Sequence, residues 1–298
     1  MEIRVLRYFL TVAREESISG AAQVLHLSQP TLSRQLMDME REFGKQLFIR
    51  GNRRITLTED GMLLRRRAEE IIDLVDRTEA EITAVDDYVS GDVYIGAGET
   101  EVMRHIAKIA KEIQDDYPDI HYHIFSGNAE SIMERLDNGL IDFGLILDAN
   151  DDSKYDCIKL PSSDRFGILA RKDSPIAGYE SISLDELKKL PLIMTAQPHY
   201  DKSDEKRVRK ALSKLNIVAT YNLIYNASLL VEEGLGYALC IDRLIKITDD
   251  GPLCFIPLEE QNEIKPYVAW KKNQVFSKAA DLFLERLTEK FGNRKYNQ

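Results

Sequence analysis

The sequence is poor in the residues and runs that mark several classes of protein. It has three cysteines among 298 residues, an odd number without close spacing, which argues against a disulfide framework and predicts reduced thiols in a cytoplasmic protein. No run of about 18 apolar residues occurs, so we expect no membrane-spanning helix and no membrane partner. Residues 1–7 mix acidic and basic side chains without an apolar core, so we expect no secretory signal.

Signatures of catalysis, cofactor binding and metal binding are also missing. No Gly-x-Ser-x-Gly motif marks a nucleophilic serine. The stretch 96–98 reads Gly-Ala-Gly after a predicted strand, but Glu101 stands where a dinucleotide-binding fingerprint needs its third glycine. His121 and His123 share a strand face without further ligands at metal-site spacing. We therefore expect no enzyme, no cofactor and no metal, with an enzyme built on the carboxy-terminal domain as one alternative.

Charge is distributed unevenly along the chain. Of 40 basic and 50 acidic residues, residues 1–67 carry 12 Lys and Arg against 8 Asp and Glu, which leaves 28 against 42 for the rest. A small basic segment joined to an acidic body indicates that one end meets phosphate groups while the other has a different task.

The first 58 residues predict three helices followed by a hairpin. Ser17 can cap a short second helix over residues 18–25, and Ser28 can cap a third helix that carries Pro30 in its first turn. Gly44 ends the third helix. Two short strands follow, joined by a turn that contains three arginines. This order of elements is typical of a winged helix-turn-helix, in which the third helix enters the DNA major groove.

The predicted DNA contacts lie on the third helix and on the wing. Arg34 projects away from the apolar stripe of the third helix, and arginine is the usual reader of guanine through a bidentate contact. Wing arginines suit phosphates or the minor groove. The candidate contact residues are Ser28, Gln29, Pro30, Thr31, Ser33, Arg34, Arg50, Arg53 and Arg54.

A long helix follows, with Thr58 as its cap. Apolar residues recur along it in a 4–3 alternation, which predicts a coiled-coil seam and a second copy of the chain as its partner. The seam consists of Leu64, Ala68, Ile71, Val75 and Ile82. We assign residues 1–58 to the DNA-binding domain and residues 59–90 to the linker and dimerisation helix.

From residue 91 onwards, strands alternate with helices, which predicts an α/β fold with mostly parallel, doubly wound sheets. A break near residues 161–165 and a late strand near Tyr267 divide this segment into two lobes joined by crossing strands. We place lobe I at 91–162 and 268–298, and lobe II at 163–267. The whole chain is thus an α/β protein with an all-α-plus-wing head.

Residues 17–25, 27–36, 47–50 and 57–61 resemble the LysR-type transcriptional regulators, densely and in order. Residues 142–145 and 232–236 resemble that family's sensor domain more weakly. The resemblance implies a sensor like the periplasmic binding proteins, with a small-molecule effector between its lobes. It also implies a homo-oligomer, as a dimer or a tetramer of paired dimers. The two-fold axis of such a dimer predicts that it binds an interrupted inverted repeat of double-stranded DNA. RNA polymerase is a further candidate partner.

The resemblance, together with the rule that ligands lie beyond the carboxyl ends of parallel strands, points to turn residues as effector contacts. They are Gly98, Glu99, Thr100, Ser126, Gly127, Asn128, Thr195 and Asn226. Glu99 and Glu101 flank Thr100, which counts against an anionic effector. An alternative is a small-molecule-binding protein whose head serves only for protein interaction.

Overall fold

The computed structural model divides the chain into two compact units, residues 1–84 and residues 85–298. It describes residues 1–51, 54–83, 89–147, 154–162, 164–196, 215–259 and 264–292. No helix within these ranges combines the length and the apolar character that crossing a membrane requires.

The amino-terminal unit, here called the head, contains four helices and one hairpin. Its elements are α1 (Ile3–Glu15), α2 (Ile18–Val24), α3 (Gln29–Phe43), β1 (Phe48–Arg50), β2 (Ile55–Leu57) and α4 (Glu59–Thr83). The predicted caps are confirmed: Ser17 accepts a hydrogen bond from the Gly20 amide, and Ser28 accepts one from the Thr31 amide. Gly44 ends α3 with a positive φ of 63°. The hairpin pairs β1 and β2 antiparallel.

The first half of α4 belongs to the core of the head. Ala68 is 0% exposed and Ile72 is also buried, among side chains from α1, α2 and α3. Leu64 and Ile71 are partly buried against the same core. Arg7 of α1 also donates hydrogen bonds to Asp76. Three residues of the expected dimer seam therefore pack, wholly or in part, against their own chain, because the first half of the apolar stripe of α4 contributes to the core of the head.

Gly61, in the first turn of α4, lies where the helix packs tightly against the hairpin. A Cβ atom at this position would stand 2.1 Å from the carbonyl oxygen of Leu47 and 3.2 Å from the Leu57 side chain. Thr58 fixes the same turn, since its hydroxyl donates to the Gln46 carbonyl and accepts from the Gly61 amide. A side chain other than hydrogen would push α4 away from the hairpin.

The carboxy-terminal unit contains two five-stranded sheets. The first sheet has the order β4-β3-β5-β12-β6, and the second has the order β11-β7-β10-β8-β9. The strands are β3 (Gly91–Ala97), β4 (Ile120–Ser126), β5 (Phe143–Leu147), β6 (Tyr155–Lys159), β7 (Phe166–Arg171), β8 (Pro191–Thr195), β9 (Asn216–Tyr221), β10 (Tyr237–Ile241), β11 (Leu253–Pro257) and β12 (Pro266–Lys271). The described helices are α5 (Met103–Asp116), α6 (Ala129–Asp137), α7 (Leu184–Leu187), α8 (Ile224–Glu232) and α9 (Lys278–Phe291).

The chain passes between the two sheets twice. It leaves the first sheet after β6 and returns to it with β12. The first strand after each crossing is antiparallel to its neighbours: β7 in the second sheet and β12 in the first. The remaining four strands of each sheet point the same way, as a doubly wound fold requires. Pro266 and Tyr267 pair with β5 of the first sheet, so the second part of lobe I begins two residues earlier than the sequence pattern predicts.

The pattern of strands was predictable in part. The sequence predicts strands at 143–147, 166–171 and 237–241, and the structure has strands with these bounds. It does not predict β6 or β11, because β6 is a largely exposed edge strand and β11 is a short run that ends in proline. The sequence also predicts a helix over residues 204–214, which lie outside the described residues.

We predict that Gly61→Ala destabilises the head by about 1–3 kcal/mol, the usual range for overpacking. The matched control is Gly20→Ala in α2, where the nearest atom to a new Cβ lies at 3.4 Å and alanine should stabilise the helix by about 0.5–1 kcal/mol. Hydrogen exchange at the buried Leu6 and Leu36 positions in the full chain measures both effects. Equal protection in the two variants would contradict the prediction.

Candidate functional site

The amino-terminal turn of α3 is exposed and carries polar groups. The Ser28 hydroxyl lies 2.7 Å from the Thr31 hydroxyl and accepts from the Thr31 amide at 3.3 Å. Gln29, Pro30 and Thr31 are exposed, whereas Ser33 is half-buried. A capped helix end of this kind presents amide and hydroxyl donors that can meet phosphate oxygens.

Arg34 extends from this exposed face without a partner in the described part of the chain. By contrast, Arg41 on the same helix donates a hydrogen bond to Asp38 at 2.8 Å. The opposite face of α3 is buried through Leu32, Leu36 and Met39. The burial of one face therefore fixes the direction of the other, and it leaves the Arg34 guanidinium available to a ligand.

Backbone amides of the wing donate hydrogen bonds that attach it to a side chain and to a backbone carbonyl elsewhere in the head. Glu40 of α3 accepts from the amides of Leu47 and Phe48 at 2.7 and 3.2 Å, and the Ile55 amide donates to the Glu16 carbonyl. Arg54 is exposed, with its guanidinium 3.5 Å from the Glu16 carboxylate. The Arg50 side chain and the whole of Arg53 lie outside the described residues.

The second half of α4 keeps an apolar face beyond the head's core. Ile82 is 79% exposed and Leu74 is 40% exposed, while Val75 is half-buried. A shallow groove of about 380 Å³ runs along this face, lined by Leu74, Val75, Thr78, Glu79, Ile82 and Thr83. This part of the helix has the apolar surface that the sequence pattern assigned to a seam.

In the carboxy-terminal unit, a pocket of about 280 Å³ lies between the two lobes. Lobe I contributes the turn after β3 and the end of β4, and lobe II contributes the turn after β10. The lining residues are Ala97, Gly98, Glu99, Thr100, Glu101, Met103, Ile124, Ser126, Arg243 and Leu244.

A buried carboxylate is bonded to two of the residues that line this pocket. The Asp164 side chain, in the first crossing segment, is 1% exposed. It accepts a hydrogen bond from the Thr100 hydroxyl at 2.7 Å and another from Arg243. Arg243 has a positive φ of 63°, which is uncommon for a residue with a side chain. Thr100 of lobe I and Arg243 of lobe II thus both bind the buried Asp164 carboxylate.

Other acidic groups near the pocket are paired in the same way. Asp242 accepts from the backbone amide and the guanidinium of Arg165 at 3.0 and 3.3 Å. Arg104 donates a hydrogen bond to Glu101, and this bond holds the pKa of the Glu101 carboxyl below its ordinary value. Glu99 instead accepts from the backbone amide of Ile224, in lobe II, at 2.7 Å.

Four of the eight predicted effector contacts line the pocket: Gly98, Glu99, Thr100 and Ser126. Gly127, Asn128, Thr195 and Asn226 are not among its lining residues. Asn128 caps α6 through the Ser131 amide at 2.8 Å. No sequence signal pointed to Arg243 and Leu244, because the turn after β10 reaches the pocket only through the folding of lobe II.

The described residues contain no group of three or more His, Cys, Asp or Glu side chains arranged to hold a metal ion. The Nε2 atom of His123 instead lies 2.9 Å from Oδ1 of Asp92, and the His123 ring stacks on the Tyr94 ring. The three cysteines are free thiols, and burial raises the pKa of the Cys240 thiol to about 12, so this group stays protonated at neutral pH.

Comparison with family models covers nearly the whole chain. Residues 3–62 match the bacterial regulatory helix-turn-helix of the lysR family. Residues 86–292 match the LysR substrate binding domain.

Individual relatives agree with these matches. The chain is 28% identical to the transcriptional regulator BsdA of Bacillus subtilis strain 168, over 96% of this chain and 99% of BsdA. The structure of CbnR in complex with its target DNA has the same fold, with a TM-score of 0.72 at 19% identity, over 97% of this chain and 99% of CbnR. HinK of Pseudomonas aeruginosa is 25% identical, with a TM-score of 0.53 over 98% of both chains. The chain thus belongs to the LysR family, and it is a DNA-binding transcriptional regulator with an effector-binding substrate domain.

Proposed function

We propose that this regulator acts in the cytoplasm as a homo-oligomer that binds an interrupted inverted repeat through α3 and responds to a small molecule in the interlobe pocket. The observation that carries the proposal is the exposed face of α3, where Arg34 stands without a partner in the described chain and the opposite face is buried. CbnR, whose fold is similar, has been crystallised with its target DNA.

Within the head, α3 supplies specificity and the wing supplies affinity. Arg34 is the candidate base reader, since a guanidinium pairs bidentately with guanine. Ser28, Gln29, Pro30, Thr31 and Ser33 surround it on the first turns and are placed for phosphates and neighbouring bases. Arg50, Arg53 and Arg54 of the wing are assigned to phosphates, where each contact contributes to the salt dependence of binding.

Pairing of two chains is assigned to the second half of α4. Leu64, Ala68 and Ile71 help to build the head's core, so the contact surface that remains runs from Leu74 to Ile82. An apolar groove of this length on a helix surface favours a second copy of the same helix, because two such faces bury each other. We therefore assign residues 1–58 to DNA contact, 59–90 to pairing and 91–298 to the effector response.

The effector is assigned to the interlobe pocket. Ligand pockets of two-lobed α/β proteins lie between the lobes, where strand ends and turns supply a few directed polar groups. Gly98, Glu99, Thr100 and Ser126 supply lobe I groups, and Arg243 supplies a lobe II group. Because the Thr100 hydroxyl already donates to Asp164, we assign Thr100 to shaping the pocket and holding the lobes together.

We predict that Arg34→Ala lowers selectivity for the operator while the fold stays intact, because the exposed Arg34 side chain forms no hydrogen bond or ion pair within the described head. Loss of a bidentate base contact should cost about 1–3 kcal/mol at the specific site. Arg54→Ala is the matched control, and it should weaken binding to all sequences to a similar degree. Competition binding against mixed-sequence DNA measures the difference. If Arg34→Ala bound its operator as selectively as the parent protein, the assignment would fail.

We predict that Ile82→Asp dissociates the dimer without unfolding the head. A buried, unpaired carboxylate should weaken pairing by about 3 kcal/mol or more, and Ile82 has no part in the head's core. Ala68→Asp is the contrasting variant, because it places a charge inside that core and should unfold the head. Analytical ultracentrifugation with circular dichroism distinguishes the two effects. An unchanged mass for Ile82→Asp would show that α4 pairs elsewhere.

We predict that Thr100→Val destabilises the carboxy-terminal unit by about 1.5–3 kcal/mol, since the buried Asp164 carboxylate loses a charge-assisted hydrogen bond. The same variant should blunt the effector response. Thr100→Ser keeps the hydroxyl and should resemble the parent. Thermal unfolding of the full chain tests the stability. If the valine variant were as stable as the serine variant, the Thr100 hydroxyl would not stabilise the contact between the lobes.

A further inference from the structure

Glu99 makes a hydrogen bond that connects the two lobes across the pocket. Its Oε2 atom accepts from the backbone amide of Ile224 at 2.7 Å, and the two residues are 125 positions apart in the chain. Ile224 is the first residue of α8, so the carboxylate of lobe I lies at the amino terminus of a lobe II helix.

The amino terminus of α8 has no cap from its own sequence. Its N-cap residue is Leu223, which has no side-chain acceptor. Free amides and the helix dipole make such a helix end attractive to anions. At the other end of α8, the Arg171 guanidinium donates to the Glu232 carbonyl at 2.9 Å. At each end of the helix, one backbone group thus binds a side chain of the appropriate charge from another element.

Glu99 also differs from the other acidic groups around the pocket. Glu101 pairs with Arg104, and Asp164 pairs with Arg243. No lysine or arginine in the described ranges forms an ion pair with Glu99, whose partner is a backbone amide. Among the described residues of the pocket, Glu99 is therefore a carboxylate without a compensating cation, and it already lies at the helix end where an anion would bind.

We propose that Glu99 is the specificity-determining residue of the pocket: as a tethered anion at the amino terminus of α8, it excludes carboxylate and phosphate ligands and admits uncharged or positively charged ones. This inference rests on the proposed function, in which the interlobe pocket holds the effector.

An anionic ligand would meet two obstacles in this pocket. The Ile224 amide at the amino terminus of α8 already binds Glu99, and the negative charge of Glu99 repels a second anion at short range. The guanidinium of Arg243, the one cationic side chain among the described lining residues, already binds the buried Asp164. A neutral or cationic molecule meets neither obstacle, and a cation gains attraction from Glu99.

The test measures succinate binding to the full-length protein by isothermal titration calorimetry, in the parent and in three variants. Glu99→Ala removes the charge and frees the helix end. Glu99→Gln removes the charge but keeps an oxygen that can accept from the Ile224 amide. Glu101→Gln is the matched control, since it removes one negative charge from the same pocket and leaves α8 covered.

We expect Glu99→Ala to bind succinate at least about tenfold more tightly than the parent, with Glu99→Gln between them and Glu101→Gln close to the parent. Equal affinity in all four proteins, or no binding in any of them, would overturn the proposal. Equal gains in Glu99→Ala and Glu101→Gln would overturn it too, because the effect would then reflect total charge alone.

The proposed function is tested separately on the same preparations. Salt-dependent binding of the parent to duplex DNA reports on the head and does not depend on Glu99. If succinate bound Glu99→Ala as expected but left its DNA binding unchanged, the pocket would lose its assigned regulatory role, while the role of Glu99 in ligand selection would stand.

Discussion

The buried carboxylate of Asp164 sets the geometry of the carboxy-terminal unit. A carboxylate that is removed from water is stable only when it is paired, because the desolvation cost reaches several kcal/mol. Its two side-chain partners, Thr100 and Arg243, come from different lobes. The distance between the lobes is therefore set by a charge that must be satisfied from both sides, and the size and shape of the pocket follow from that distance.

This constraint changes how the polar residues around the pocket are used. Turns at the carboxyl ends of parallel strands are the usual source of ligand contacts in α/β folds. Here the Thr100 hydroxyl, the Arg243 guanidinium and the Glu99 carboxylate all bind groups of the protein itself. A ligand has to exchange one of these bonds for its own or use the groups that remain exposed, such as Ser126. Selectivity then depends on which interlobe bond the ligand can replace.

Local chemistry in the sequence was sufficient to predict the head. Ser17, Ser28 and Gly44 act within a few residues of their own position, so their capping roles follow from short stretches of sequence. The seam was harder to place, because the 4–3 spacing along α4 does not distinguish burial against the same chain from burial against a second one. Ala68 lies in the head's core and Ile82 is exposed, although both obey one repeat.

The interlobe contacts could not be predicted, since they join residues far apart in sequence. Arg243 and Asp164 are 79 positions apart, and Glu99 and Ile224 are 125 positions apart. Each side chain is unremarkable in its local context, and only the double crossing of the chain brings them together. The doubly wound pattern and the family resemblance together predicted eight turn residues, of which Gly98, Glu99, Thr100 and Ser126 line the pocket. Neither contained information on the turn after β10.

The same arrangement limits how a ligand can influence DNA binding. A ligand shifts an equilibrium only by the difference in its affinity for two states. The bonds of Thr100 and Glu99 each join the lobes through one polar contact, so a ligand that exchanges one of them alters the contact between the lobes. The covalent route from this unit to the head runs through the segment that follows α4. That segment and contacts between chains are two routes for coupling, and a second chain on the apolar face of α4 would carry the change to both copies of α3 at once.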